Sequence, residues 1–160
     1  MNLFIKQRIF TLRDRYNIFN EAGQPVYAVE GKLISLGAQI TLYDTMGNAL
    51  YIIRQRLLKL LPQYSIYSGD NLCAVIKKQL TFLKHKLEIE SAVDNYTLDG
   101  DIFGWNFTIL KNGNRIGAIQ KVLDFGDSYQ LWFDDREDPA FLSAMVIAID
   151  HCIHNSNNNN

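Results

Sequence analysis

The sequence predicts a mainly β fold: about twelve antiparallel strands closed into a barrel, with a hydrophobic C-terminal α-helix threaded through it. Three observations lead there. Short alternating patches recur at one period along the chain, turn formers follow most of them, and one segment near the C-terminus is apolar on almost every helical face.

Apolar residues stand at Leu12, Leu36, Leu60, Leu83, Phe103 and Phe125, and four positions after each stands another: Tyr16, Ile40, Tyr64, Leu87, Phe107 and Tyr129. Each of the second set opens a strand-like run, as in Ile40-Thr41-Leu42-Tyr43 and Phe107-Thr108-Ile109-Leu110. The start-to-start spacings are 24, 24, 23, 20 and 22 residues. Alternation sends successive side chains to opposite faces, which is the pattern of a half-buried strand. Asn/Asp/Gly clusters come next, at Asn20–Gly23, Asp44–Asn48, Ser68–Asn71 and Lys111–Asn114. Gly and Asn accept the positive φ that tight hairpin turns require. A second run then returns, such as Tyr51-Ile52-Ile53-Arg54 or Ile116-Gly117-Ala118-Ile119, so each unit supplies two strands. The fourth unit is degenerate, with Ser91 to Tyr96 where a clean turn would stand, and the sixth runs out at Asp134-Asp135.

Pro25 and Pro62 fall only at the starts of runs, where a missing N–H is tolerated. A meander of this length leaves two exposed edges unless it closes. A closed barrel of about twelve strands is too wide for strand side chains alone to fill. The segment Ala140–Ile149 is the expected filler: Asp138-Pro139 is a helix-start signature, and a helix apolar all round is buried all round. It would extend roughly 22 Å. Asp150, His151, His154 and the Asn-rich end are expected to mark its emergence into water. A helix lying on the face of an open sheet is the alternative.

Composition agrees with one domain. The 160 residues are 48% hydrophobic and 21% charged, which suits a packed core and excludes a disordered chain. Two Cys exclude a disulfide scaffold. No apolar run reaches the roughly 20 residues of a membrane-spanning helix, and Met1–Arg8 lacks the order of a signal peptide. A cytoplasmic protein is expected, with a single domain over 1–154 and a disordered Asn-rich tail over 155–160. The net charge of −1 hides a division. Residues 1–86 hold twelve Lys/Arg against five Asp/Glu, a net of +7, and residues 87–160 hold four against twelve, a net of −8.

Several segments in this order resemble the LURP-one-related family and its small bacterial members. They are Phe4–Phe10, Val29–Gly37, Ile76–Phe82, Gly126–Tyr129 and the closing Ala148-Ile149-Asp150. The resemblance implies a tubby C-terminal-like fold, shared more distantly with phospholipid scramblases. It implies little about activity: tubby domains bind phosphoinositide headgroups and scramblase-like members associate with membranes, but LURP-one-related proteins have no settled biochemical role. Fold analogy is a weak warrant for function. The sequence lacks the extra transmembrane segment of scramblases, so lipid scrambling does not carry over.

Chemistry-bearing motifs are sparse. Cys152 and its neighbours His151 and His154 do not complete a four-ligand metal set, so Cys152 reads as a small buried residue and the histidines as a solvated terminus. Cys73 reads as core. The acids Asp134, Asp135, Glu137 and Asp138 lack EF-hand spacing, and Asp138 is assigned to capping. No phosphate loop, dinucleotide fingerprint or nucleophile elbow occurs. The reading is therefore non-enzymatic, with no cofactor and no metal.

Basic residues are the remaining lead. Four positions before the apolar anchors stand Arg8, Lys32, Arg56 and Lys121, with Gln79 and Asp99 in the other two units; two positions earlier stand Lys6, Arg54 and Lys77. Residues i and i+2 of a strand share a face, so Lys6 with Arg8, and Arg54 with Arg56, present paired cations. With Lys77 and Lys78 they form the expected site, a basic face for an anionic membrane surface met peripherally, or for a protein partner. Pairing of these bases with acids on neighbouring strands is the competing account. A pI near 6.3 argues against nucleic acid. The other functional class is a carrier or sensor of a small apolar ligand held beside the helix.

Overall fold

The computed structural model describes residues 1–6, 15–57, 59–80, 85–122 and 128–154, with Lys6 and His85 described by their backbone alone. Twelve strands and one helix stand among them. The strands are β1 (Asn2–Lys6), β2 (Arg15–Asn20), β3 (Pro25–Ile34), β4 (Gly37–Tyr43), β5 (Ala49–Gln55), β6 (Gln63–Ser68), β7 (Asn71–Leu80), β8 (His85–Glu90), β9 (Tyr96–Asp101), β10 (Asn106–Lys111), β11 (Asn114–Val122) and β12 (Ser128–Phe133). The helix α1 covers Pro139–His154.

All twelve strands join one antiparallel sheet in the order β8-β7-β6-β5-β4-β3-β2-β1-β12-β11-β10-β9. The N-terminal strand β1 is zipped between β2 and β12, with Leu3 opposite Leu131 and Ile5 opposite Tyr129. The two ends of the sheet, β8 and β9, meet without a ladder, so the barrel is nearly closed with one seam. That seam falls on the degenerate fourth unit. Every regular unit zips its own hairpin, whereas the Ser91–Asn95 connection carries no compact turn and is tied instead to the next turn, Asn112 N–H donating to the Asn95 carbonyl at 2.8 Å. That next turn is the Asn-Gly form expected from its residues, with Asn112 at φ 52° and Gly113 at φ 81°.

Alternation delivers one apolar side chain per pair of residues to the lumen, and Ile18, Val29, Leu42, Ile53, Ile66, Ile109 and Leu131 are all fully buried there. Charged side chains such as Lys32, Arg54 and Lys86 face outward. That is the reverse of a lipid-spanning barrel, whose outer band is apolar. The helix completes the core. From Leu142 to Ile149 every residue is at most 2% exposed, which one stripe against an open sheet cannot produce, so α1 is threaded. Asp138 caps it, accepting from the N–H groups of Ala140 at 2.8 Å and Phe141 at 3.2 Å, and also takes the Tyr51 hydroxyl at 2.6 Å. Ser143, polar amid apolar neighbours, donates back to the Pro139 carbonyl at 2.7 Å. No helix among the described residues is long and apolar enough to cross a membrane.

Two expectations are corrected. The helix does not emerge at Asp150: Asp150 and His151 are 8% and 7% exposed and Cys152 is fully buried, because the barrel wall continues around the last turn. Cys73 is only partly buried, beside an irregularity in the β6–β7 register. The expected tail, 155–160, lies outside the described residues.

Candidate functional site

An up-and-down barrel sorts its connections by end. The hairpin turns within units lie at one mouth, and the strand ends joined between units, of β1 and β2, β3 and β4, β5 and β6, β7 and β8, β9 and β10, and β11 and β12, lie at the other. The repeat therefore becomes a ring. Residues at equivalent places in successive units, scattered along the sequence, gather around one mouth.

The charges sort the same way. Arg15, Lys32, Arg54, Arg56, Lys59, Lys86 and Lys121 are exposed toward the connection mouth. Glu21, Asp44, Asp70, Asp94, Asp134, Asp135, Glu137 and Asp138 lie at the hairpin mouth. Each mouth thus carries mostly one sign, although Lys111, Arg115 and Arg136 stand at the hairpin mouth and Asp101 at the connection mouth. This axial polarity is not the division of the sequence into a basic and an acidic part, since Glu21, Asp44 and Asp70 come from the first and Lys121 from the second.

The predicted site residues fare differently from one another. Arg54 is exposed; its Nε donates to Gln39 Oε1 at 3.3 Å and its guanidinium lies 5.4 Å from the centre of the Tyr67 ring. Arg56 is exposed on the same face, with Nε donating to Ser65 Oγ at 2.6 Å. Among the described residues neither guanidinium has a carboxylate within salt-bridge distance, so both keep charge toward solvent. Lys77 is ion-paired with Glu90 of β8, as the competing account expects. Lys78 leaves the outer face altogether. One residue along the strand from Lys77, it turns inward, 8% exposed, with its ammonium 5.8 Å from the Phe103 ring centre, and burial lowers its pKa. Strand alternation forbids Lys77 and Lys78 from sharing a face. The Lys6 backbone pairs with Ser128, and Arg8 lies outside the described residues.

Two features of this mouth escape a residue-type search. The first is a set of exposed leucines on its connections, among them Leu36 at 72% and Leu60 fully exposed. The signal was present, since both are anchors of the repeat, but the sequence does not say on which side of the wall an anchor falls. The second is a polar cluster sealed inside the mouth. Tyr129 donates its hydroxyl to Asp150 at 3.0 Å, and His154 Nε2 lies 3.1 Å from the same carboxylate, which raises the imidazole pKa. His151 packs edge-on against Tyr64, and burial pushes its pKa down to about 3. Cys152 is pushed up to about 12 by burial, with its Sγ 3.6 Å from the Ile76 carbonyl, so it stays a protonated, unreactive thiol. Trp105 closes the cluster, stacked on Tyr129 at 3.7 Å between ring centres. It reaches that place through a backbone at φ 57°, and just upstream Gly100, at φ 117°, lies where a Cβ would stand 2.8 Å from the Asn106 carbonyl. Among the described residues no group of three His, Cys, Asp or Glu side chains is placed to hold a metal ion.

The LURP-one-related family model matches residues 1–150. The chain belongs to the LURP-one-related family. It is 32% identical over 156 residues, 97% of its own length and 95% of the other's, to the "Uncharacterized protein YxjI" of Bacillus subtilis (strain 168). Its fold matches the X-ray structure of a protein from Arabidopsis thaliana with a TM-score of 0.65 at 14% identity, over 93% of this chain and 88% of that one. The two chains thus share the fold at 14% identity, as a core defined by alternation and a threaded helix permits.

Proposed function

We propose that this LURP-one-related domain is a non-catalytic recognition module whose connection mouth meets anionic lipid headgroups at a membrane surface. The observation that carries the reading is the pair Arg54 and Arg56, exposed, on one face and free of carboxylate partners among the described residues, within a mouth that also carries Lys32, Lys59 and Lys121. Basic residues near an anionic surface are each worth about 1 kcal/mol at moderate ionic strength, so several acting together give salt-sensitive binding. Lys77 contributes less, being paired, and Lys78 is withdrawn from the surface. What favours a surface site over a ligand beside the helix is the complete burial of Leu142–Ile149, which leaves the described lumen packed.

Co-sedimentation with neutral and anionic vesicles, at low and moderate salt, tests the reading on wild type and on Arg54→Glu/Arg56→Glu. Binding confined to anionic vesicles, weakened by salt and lost in the double variant, is the expected result. Absence of binding at low salt would sink it and direct the search to an acidic protein surface.

A further inference from the structure

The leucines at the connection mouth carry a further inference, which rests on the lipid reading and adds an orientation to it. Leu33 and Leu36 flank the β3–β4 turn, Leu57 and Leu60 lie in the β5–β6 connection, Leu80 ends β7, and Phe103 stands in the β9–β10 connection; all are exposed. Among the described residues, three of the connections at one mouth and the end of β7 therefore hold large apolar side chains out in water. Such residues scattered singly need no explanation, but a set gathered at one end by topology does.

The hairpin mouth is the internal comparison. It too has exposed apolar residues, at Met46, Leu72 and Val93. Each of these sits within two residues of an acid, respectively Asp44, Asp70 and Asp94. At the connection mouth the leucines of the β3–β4 and β5–β6 connections have cations as neighbours, Lys32 beside Leu33, Arg56 beside Leu57 and Lys59 beside Leu60, while Phe103 stands two residues from Asp101. Apolar tips ringed by cations match the two layers of an anionic bilayer surface, headgroups outside and acyl chains beneath, while tips beside carboxylates are repelled from it.

We infer that the barrel docks end-on to anionic membrane, with Leu36 and Leu60 seated below the headgroups, Arg54, Arg56 and Lys59 at headgroup level, and the acidic hairpin mouth directed away. Because the axis of α1 runs between the two mouths, with Cys152 near the Pro62 carbonyl of the β5–β6 connection, the helix C-terminus then points toward the bilayer.

The test places an environment-sensitive fluorophore on Leu36→Cys, on Leu60→Cys and, at the far mouth, on Met46→Cys, each in a Cys73→Ala background of the full chain. Vesicles are phosphatidylserine with phosphatidylcholine, with and without spin-labelled acyl chains, and sedimentation is read on the same samples. The expected result is a blue shift and acyl-chain quenching at positions 36 and 60 and neither at 46. Sedimentation without a shift at 36 and 60 overturns the insertion while leaving the headgroup reading standing. A shift at 46 overturns the orientation, and failure to sediment overturns both readings together. Leu36→Glu/Leu60→Glu, at exposed positions that do not threaten folding, is expected to lower anionic-vesicle binding at least tenfold at the salt where Arg54→Glu/Arg56→Glu is already compromised.

Discussion

Tyr129 of β12 donates its hydroxyl to Asp150 in the last turn but one of α1, 3.0 Å away, and so fastens the threaded helix to the strand that precedes it in sequence. Both groups are buried, and His154 approaches the same carboxylate from one turn further along the helix. A buried carboxylate is tolerable when its oxygens have partners and expensive when one is removed. The bond therefore sets where along the barrel axis the helix comes to rest.

Tyr129→Phe keeps the ring stacked on Trp105 and removes only the hydroxyl. Its expected cost is about 1–3 kcal/mol, the range for leaving a buried polar group short of a partner. Chemical denaturation of Tyr129→Phe, Asp150→Asn and the double variant would measure it as a cycle. Full additivity of the two single changes would deny the coupling.

The two histidines of the last helical turns act on stability with opposite sign. His151 is held at about 3, below its unfolded value near 6.5, so the unfolded chain takes up a proton that the folded chain refuses. Stability therefore falls as pH drops through the window from 6.5 to 3, by on the order of 5 kcal/mol if the window is crossed in full. His154 has a raised pKa, chiefly through its hydrogen bond to Asp150. Its contribution is complete below the unfolded value and is lost as pH rises through the raised one. Stability should thus be greatest in slightly acid solution. Melting temperatures measured from about pH 4 to about pH 8 should show His151→Phe losing much of the acid limb, and an unchanged acid limb would remove His151 as its cause.

Ile147 lies midway along the buried stretch of α1, 2% exposed. Ile147→Ala is expected to cost about 2–5 kcal/mol through lost burial and the cavity left behind. Ile147→Asp, which places an unpaired charge at the barrel centre, should abolish the folded state. Circular dichroism and thermal melting decide it. A soluble Ile147→Asp domain melting like wild type would contradict the threaded helix.

Alternation and repetition, which are local, were enough to foresee the strands, the hairpin turns, the apolar helix and its Asp138 cap. The seam was not foreseen; it falls on the degenerate fourth unit, at Ser91 to Tyr96, but the sequence there showed only the lack of a clean turn. The basic residues were legible as a periodic set, of which Arg54 and Arg56 are both exposed. Other properties depend on what encloses a residue. Lys77 and Lys78 are the same residue type side by side, yet one is paired at the surface and the other is buried, because the wall has an inside and an outside. Asp150 and His151 carry the chemistry of a solvated helix end and are buried, because β6, β7 and β12 reach past them. Leu36 and Leu60 carry the chemistry of a core and stand in water, because closure turns the connections between units outward at one mouth. Periodicity specifies which residues are equivalent; only the closed barrel, which separates lumen from surface and one mouth from the other, decides what those equivalent residues face.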